Sequence, residues 1–181
     1  PPLMSMALGA AAHFAGAAPL PRNEDWKRGW RMRYSYHYLW QGPNGTRAVA
    51  LVEAARIPVI ALSLCLGLLV FLWTRQLYSN AAAFMALALY CFEPNLLAHS
   101  SLATLDLGLT AGFCFTLYAS WRYASTRRFR YLALTGVLLG ATAVIKLPGL
   151  MLFLLVPVLW GVCSTEGGSI RVRQVLPVFA A

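Results

Sequence analysis

Apolar residues in this chain come in solid blocks, not at the alternating or three-to-four spacing of half-buried elements. Five blocks stand out, at residues 57–73, 81–92, 107–121, 132–145 and 147–163. Each is apolar on every side, which predicts helices enclosed by lipid or protein instead of amphipathic surface helices. Several are shorter than the about 20 residues that cross a bilayer upright, so they need tilt, partial burial or help from flanking residues. Ahead of them, residues 1–20 are rich in Ala, Gly and Leu and read as a helix lying at an interface. Residues 21–55 are polar and aromatic. There Trp26, Trp30, Tyr34, Tyr36, Tyr38 and Trp40 interleave with Lys27, Arg28, Arg31 and Arg33, as in an interfacial belt. Asn44-Gly45-Thr46 is a formal glycosylation sequon, although Asn-Gly more simply marks a turn. The expected fold is therefore all-α: a polytopic transmembrane bundle of about five spans plus an outer interfacial loop. Its divisions fall at 1–55 for the outer-face helix and loop, 56–174 for the bundle and 175–181 for the start of a further span.

Composition agrees with that class. Apolar residues make up 59% and charged residues 12% of the 181, and mean hydropathy is +0.61. Soluble domains are usually about 45–50% apolar and roughly 25% charged. The chain opens on Pro1-Pro2-Leu3 and stops within an apolar run, so it reads as a segment of a longer protein, a complete small subunit being the alternative. Cys65, Cys91, Cys114 and Cys163 stand singly inside apolar blocks, with no spacing for a metal site or a disulfide framework. They are expected as buried free thiols.

The net charge of +9 raises the question of nucleic acid. The distribution of the basic residues argues against it, because they cluster at the ends of apolar blocks as topology signals do. Arg75, then Arg122, Arg127, Arg128 and Arg130, then Arg171 and Arg173 fall on alternate turns, which the positive-inside rule places in the cytoplasm. The turn from Glu93 to Asp106, the Lys146-Leu147-Pro148-Gly149 turn and the 21–55 segment then lie outside. The positive charge of 21–55 runs against the rule, but longer loops translocate despite their charge.

That topology brings Arg56, Glu93, His99, Asp106 and Lys146 toward one membrane face. Ionisable groups beside apolar spans are costly unless paired or wet, and by default they mark a functional site.

Three stretches carry a family likeness: Ala55-Arg56-Ile57-Pro58; Pro94-Asn95-Leu96-Leu97-Ala98-His99 followed by Thr104-Leu105-Asp106; and Gly136 to Lys146, a span ending on a lysine. In order, spacing and shared membrane side they resemble the polytopic glycosyltransferases that use a lipid-phosphate-linked sugar. The likeness is to the protein O-mannosyltransferase and aminoarabinose lipid A transferase group, over most of residues 50–150. The opening Pro1-Pro2-Leu3 is similar to the segment just after that family's first catalytic loop.

The resemblance implies an integral protein of a bacterial inner membrane that moves a sugar from a polyprenyl or dolichyl phosphate to an acceptor hydroxyl at the outer face. The acceptor is a protein, lipid or glycan, and the need for a divalent metal is left open. Such chemistry needs a carboxylate base near the acceptor and fixed positive charge at the leaving phosphate. On this reading Lys146 contacts the phosphate; the alternative is a lysine that only anchors its helix end. Asp106 either orients substrate or a cation, or simply favours the helix dipole. His99 binds substrate or metal, or is a structural histidine. Arg56 joins the substrate-binding set, or anchors the membrane end of its helix.

Two departures limit the likeness. Relatives often carry an arginine five residues before the motif aspartate, where this chain has Ser101. The family's catalytic acid also lies in the first outer loop, ahead of Pro1, and Glu24 and Asp25 fall after that position, so no base is assigned here. A non-catalytic scaffold or accessory subunit of a membrane complex is the rival reading. A proton-coupled transporter is a third, but without paired broken helices or repeats to support it.

Overall fold

A computed structural model describes residues 3–165, with side chains as far as 161. Arg171, Arg173 and the expected further span at 175–181 lie outside the described residues, as does the side chain of Cys163. The described residues are helical and contain no strand, so the all-α class holds.

The chain begins with α1 (Leu3–Phe14), which packs on the later bundle and buries Met4 in its core. Two short helices follow, α2 (Glu24–Lys27) and α3 (Arg31–Tyr36). Asn23 caps α2, its side chain accepting from the Trp26 N–H. Past α3, Asn44 is 2% exposed. Its Oδ1 accepts from the Ala18 N–H at 2.9 Å and its Nδ2 donates to the Tyr38 carbonyl at 3.1 Å. Both polar ends are consumed inside the fold, so this asparagine is a turn residue and not an accessible glycan acceptor.

The longest helix, α4 (Ala48–Leu77), starts nine residues before the apolar block at 57 and runs unbroken through the expected 55/56 boundary. The Ala-Val-Ala-Leu-Val-Glu-Ala-Ala run that precedes Arg56 is rich in helix formers, and Pro58 sits inside the helix without ending it. The next helix, α5 (Asn80–Phe92), is capped by the Ser79 hydroxyl, which accepts from the Ala82 N–H. It ends because Glu93 is extended before Pro94, the conformation a following proline favours. That proline opens α6 (Pro94–Ser100), bent by 65° from α5.

After a short link, α7 (Asp106–Thr126) and α8 (Phe129–Ile145) form the most closely packed pair. They run antiparallel, because Asp106 meets Lys146 at one end and Arg122 meets Tyr131 at the other. Gly112 makes the close crossing. A Cβ there would sit 2.5 Å from Thr142 Oγ1. A 3₁₀ turn over Leu147–Met151 then leads to α9 (Leu152–Thr165). The core lies where α1, α4, α7 and α8 converge, around Met4, Val59, Leu66, Leu107, Ala111 and Ile145.

One described helical stretch, Gly45–Leu77, is long and apolar enough to cross a membrane. The α5–α6 pair makes a second if the bent pair counts as one span. Shorter apolar helices occupy Leu3–Phe14, Phe129–Ile145 and Leu147–Gly161. The apolar blocks thus became helices, but most are too short to qualify alone. The thiols differ from expectation: Cys65 and Cys91 are exposed, and Cys114 is half-buried. Their helices are apolar all round, so an apolar neighbourhood in sequence does not say which side meets the core. Large apolar side chains such as Leu64, Phe84, Leu89, Phe92 and Leu154 also stand on the outside of the bundle.

Candidate functional site

Asp106 is the first residue of α7 and Lys146 directly follows the last residue of α8, so their placement depends on how the two helices cross. Two features fix the register. Gly112 leaves room for the Thr142 side chain of α8, and Thr116 Oγ1 lies 3.5 Å from Thr142 Oγ1 in the buried seam. Gly149 adds a third, because a Cβ there would overlap the Thr142 carbonyl oxygen. Its N–H donates to the Lys146 carbonyl at 2.8 Å, folding the chain back tightly after the lysine. Lys146 itself is extended, with φ −159° and ψ 146°, which ends α8 at Ile145.

The result is a direct ion pair. Lys146 Nζ donates to Asp106 Oδ1 at 2.7 Å, across 40 residues of sequence. The side chains remain 42% and 48% exposed, so solvent or a ligand reaches both. The Lys146 hydrogen bond holds the Asp106 carboxyl below the usual carboxylate range. Partial desolvation opposes that, while the lysine charge and the nearby His99 add to it. An ammonium has three protons, so two remain for other acceptors.

His99 stands in the last turn of α6, within electrostatic reach of Asp106. Its Nδ1 is enclosed and has no hydrogen-bond partner. The same connection holds two more enclosed oxygens without partners, Glu93 Oε2 and Thr104 Oγ1. Glu93 Oε1 accepts from Asn95 Nδ2 at 3.0 Å. Three enclosed polar atoms on the connection from α5 to α7 therefore have no hydrogen-bond partner among the described residues. Arg56 differs from the other candidates. It is half-buried on α4 and makes no ion pair or hydrogen bond with any described residue, and the structure does not join it to Asp106 and Lys146. Among the described residues no three His, Cys, Asp or Glu side chains converge as metal ligands would.

Beside this cluster a groove of about 380 Å³ opens between α4, α5 and α6. Its walls are apolar, with Ile60, Leu64, Leu68 and Leu87 among them, and Ser100 and Ser101 lie along it. Tyr90 and Ser63 supply its polar point: Tyr90 Oη donates to the Ser63 carbonyl at 2.8 Å and lies 3.0 Å from Ser63 Oγ. Gly67 leaves room for the Tyr90 ring, which a Cβ would meet at 3.0 Å. Sequence reasoning missed this groove. A tyrosine and a serine inside apolar blocks read as span residues, and only the packing of α4 on α5 puts them face to face.

A family model described as dolichyl-phosphate-mannose-protein mannosyltransferase matches residues 49–179. No curated protein and no solved structure matches the chain.

Proposed function

The chain belongs to the dolichyl-phosphate-mannose-protein mannosyltransferase family, and on that premise we propose that it forms the donor-holding part of a membrane glycosyltransferase. The donor is a sugar on a polyprenyl or dolichyl phosphate, and the acceptor is a hydroxyl on a protein, lipid or glycan. In the transfer, the acceptor oxygen attacks the anomeric carbon, the bond from that carbon to the phosphate oxygen breaks, and the lipid phosphate leaves with the electron pair. A base takes the acceptor proton; we assign none of this chain's residues to that step.

Lys146 is the residue we place at the leaving phosphate. The observation that carries the assignment is the 2.7 Å pair with Asp106, which fixes the ammonium at the end of the bundle while leaving it open to solvent. A positioned cation needs no reorganisation as charge develops on the phosphate, and this is where electrostatic catalysis is strongest. Asp106 is the positioning carboxylate, and His99 with its enclosed nitrogen adds a polar contact for the sugar or phosphate. Arg56 is retained only as an outlying cation on α4, with the anchoring of its helix end as the alternative role. The groove along Leu64, Leu87 and Ser101 suits the first isoprene units of the lipid, because its walls are apolar and Ser100 and Ser101 lie directly after His99 on the same connection.

The membrane placement follows the same reading. We take α4, the α5–α6 pair, α7, α8 and α9 as five spans, with the Asp106–Lys146 end outside and the arginines of the α7–α8 turn inside. The large apolar side chains left on the outside of the bundle support this, since soluble proteins rarely expose apolar surface so widely. The test is transfer from radiolabelled dolichyl phosphate mannose in membranes containing the protein. Lys146→Ala and Asp106→Asn are each expected to remove most of the transfer without unfolding the helices. Full activity in both would overturn the site and leave the pair as a structural tie between α7 and α8, whereas no transfer by the wild type would favour the non-catalytic scaffold.

A further inference from the structure

The end of the bundle opposite Asp106 and Lys146 carries a second cluster of charge. We propose that the arginines of the α7–α8 turn form a binding site for an anionic phospholipid headgroup, in the leaflet opposite the sugar donor. The proposal rests on the membrane reading above.

Three helix ends meet there. Gln76 near the end of α4 donates through Nε2 to Tyr118 Oη at 3.2 Å, and its Oε1 accepts from Arg122 Nη1 at 3.3 Å. Arg122 Nη2 then donates to Tyr131 Oη at 3.1 Å, tying α7 to α8. Arg130 donates to the same phenol at 3.2 Å. Both guanidinium groups lie over the Tyr131 ring, 5.2 Å and 4.8 Å from its centre. Trp73, Tyr118 and Trp121 pack edge-on or tilted against one another beside them, with centroids 5.5 Å to 6.0 Å apart. An aromatic belt of this kind is what a helix end at headgroup level carries.

The turn between the helices adds Arg127 and Arg128, both exposed. Arg127 ends α7 in the left-handed region at φ 52°, a position where glycine is usual. An arginine there costs conformational energy that its local contacts do not explain. Arg122, Arg127, Arg128 and Arg130 therefore put four positive charges within nine residues. None of them makes an ion pair with a described residue. The sequence holds no carboxylate between Glu53 and Glu93, or between Asp106 and Glu166. The helices packed around the turn thus bring no counter-charge of their own, whereas Lys146 at the other end has Asp106. Guanidinium forks match phosphate oxygens in pairs, and two of these forks are already oriented by ring stacking and hydrogen bonds.

Phosphatidylglycerol and phosphatidylcholine are titrated into the detergent-purified full-length protein, and bound lipids are counted by native mass spectrometry. Each basic residue near an anionic surface is worth about fivefold in affinity. The protein is expected to prefer phosphatidylglycerol by at least about tenfold. Arg127→Gln, Arg128→Gln and Arg130→Gln together should bring the preference close to one, and the three Arg→Lys changes should keep only the share that charge alone supplies. The lysine variant also separates lost charge from lost folding. Equal binding of the two lipids, or a preference that survives the glutamines, would overturn the site. So would displacement of the lipid by millimolar inorganic phosphate, which would point to a free anion as the ligand. Carbonate extraction of membranes keeps the two readings apart. A protein washed out of the membrane would refute the membrane placement and this site together, while one retained without lipid preference would refute this site alone.

Discussion

Replacing Lys146 by methionine separates a phosphate contact from a structural ion pair, because the two roles predict effects of different size. The pair with Asp106 is short, at 2.7 Å, but the side chains are 42% and 48% exposed. Water screens such a pair, so its loss costs only about 0.2–1 kcal/mol of stability. In a domain of this length that lowers the melting temperature by only about 1–4 °C. A charge-assisted hydrogen bond from the same ammonium to a lipid phosphate is worth about 1.5–3 kcal/mol. Removing it should weaken binding of polyprenyl phosphate by roughly 10- to 150-fold. Methionine keeps the length and apolar stem of lysine, so packing at the end of α8 is preserved. The assay is lipid binding by microscale thermophoresis in detergent, with thermal unfolding followed on the same samples. A change in affinity of less than threefold would refute the phosphate role, whatever happened to stability. A melting shift of 10 °C or more would mean that the lysine holds α7 and α8 together, and the reasoning from exposure would be wrong.

Other outcomes follow from particular contacts. Asp106 is held below the usual carboxylate range by Lys146, so the pair's contribution is fully present above the ordinary aspartate value near pH 4 and disappears as pH falls through the lowered one. The stability difference between wild type and Asp106→Asn should therefore be flat from pH 7 to about 5 and shrink below about 4; a difference that vanishes already near neutrality would contradict the pairing. Gly149→Ala places a Cβ against the Thr142 carbonyl, a backbone atom that cannot swing aside, so a loss of about 1–3 kcal/mol is expected by chemical denaturation. Gly136→Ala, in α8 with open space around it, should instead be neutral or stabilise by up to about 1 kcal/mol. Asn44→Ala removes two hydrogen bonds from a side chain only 2% exposed and should cost about 2–3 kcal/mol, read as a fall in melting temperature.

The helices were legible because their residues are apolar in unbroken blocks; α5 matches its expected limits to one residue, whereas α7 starts one residue early and runs on past Trp121 to Thr126. The start of α4 was not, since Ala48 to Ala55 forms helix by backbone propensity and an apolar block does not measure that. Membrane spans were harder still. Helices such as Phe129–Ile145 are apolar yet short, and apolarity alone does not fix length, tilt or depth. At the site, Asp106 and Lys146 were singled out as charges at the edges of apolar blocks, and the structure bonds them to each other. His99 is near them without a direct bond. Arg56 has the same sequence signature as Lys146 but no partner among the described residues, because a charge at a block's edge says nothing about which way its helix faces. The Tyr90–Ser63 contact and the crossing at Gly112 depend on the rotation of one helix against another, a quantity that blocks apolar on all sides leave undetermined.

The central claim is that a lipid phosphate sits at the Asp106–Lys146 end of the bundle. A polyprenyl phosphate carrying a photoreactive group next to the phosphate, irradiated with the protein in membranes and mapped by peptide mass spectrometry, tests it directly. Labels are predicted on the connection from Leu96 to Asp106 and on Lys146 to Gly149, with unlabelled donor competing them away. Labels confined to the turn from Arg122 to Arg130, or none that donor displaces, would contradict the claim.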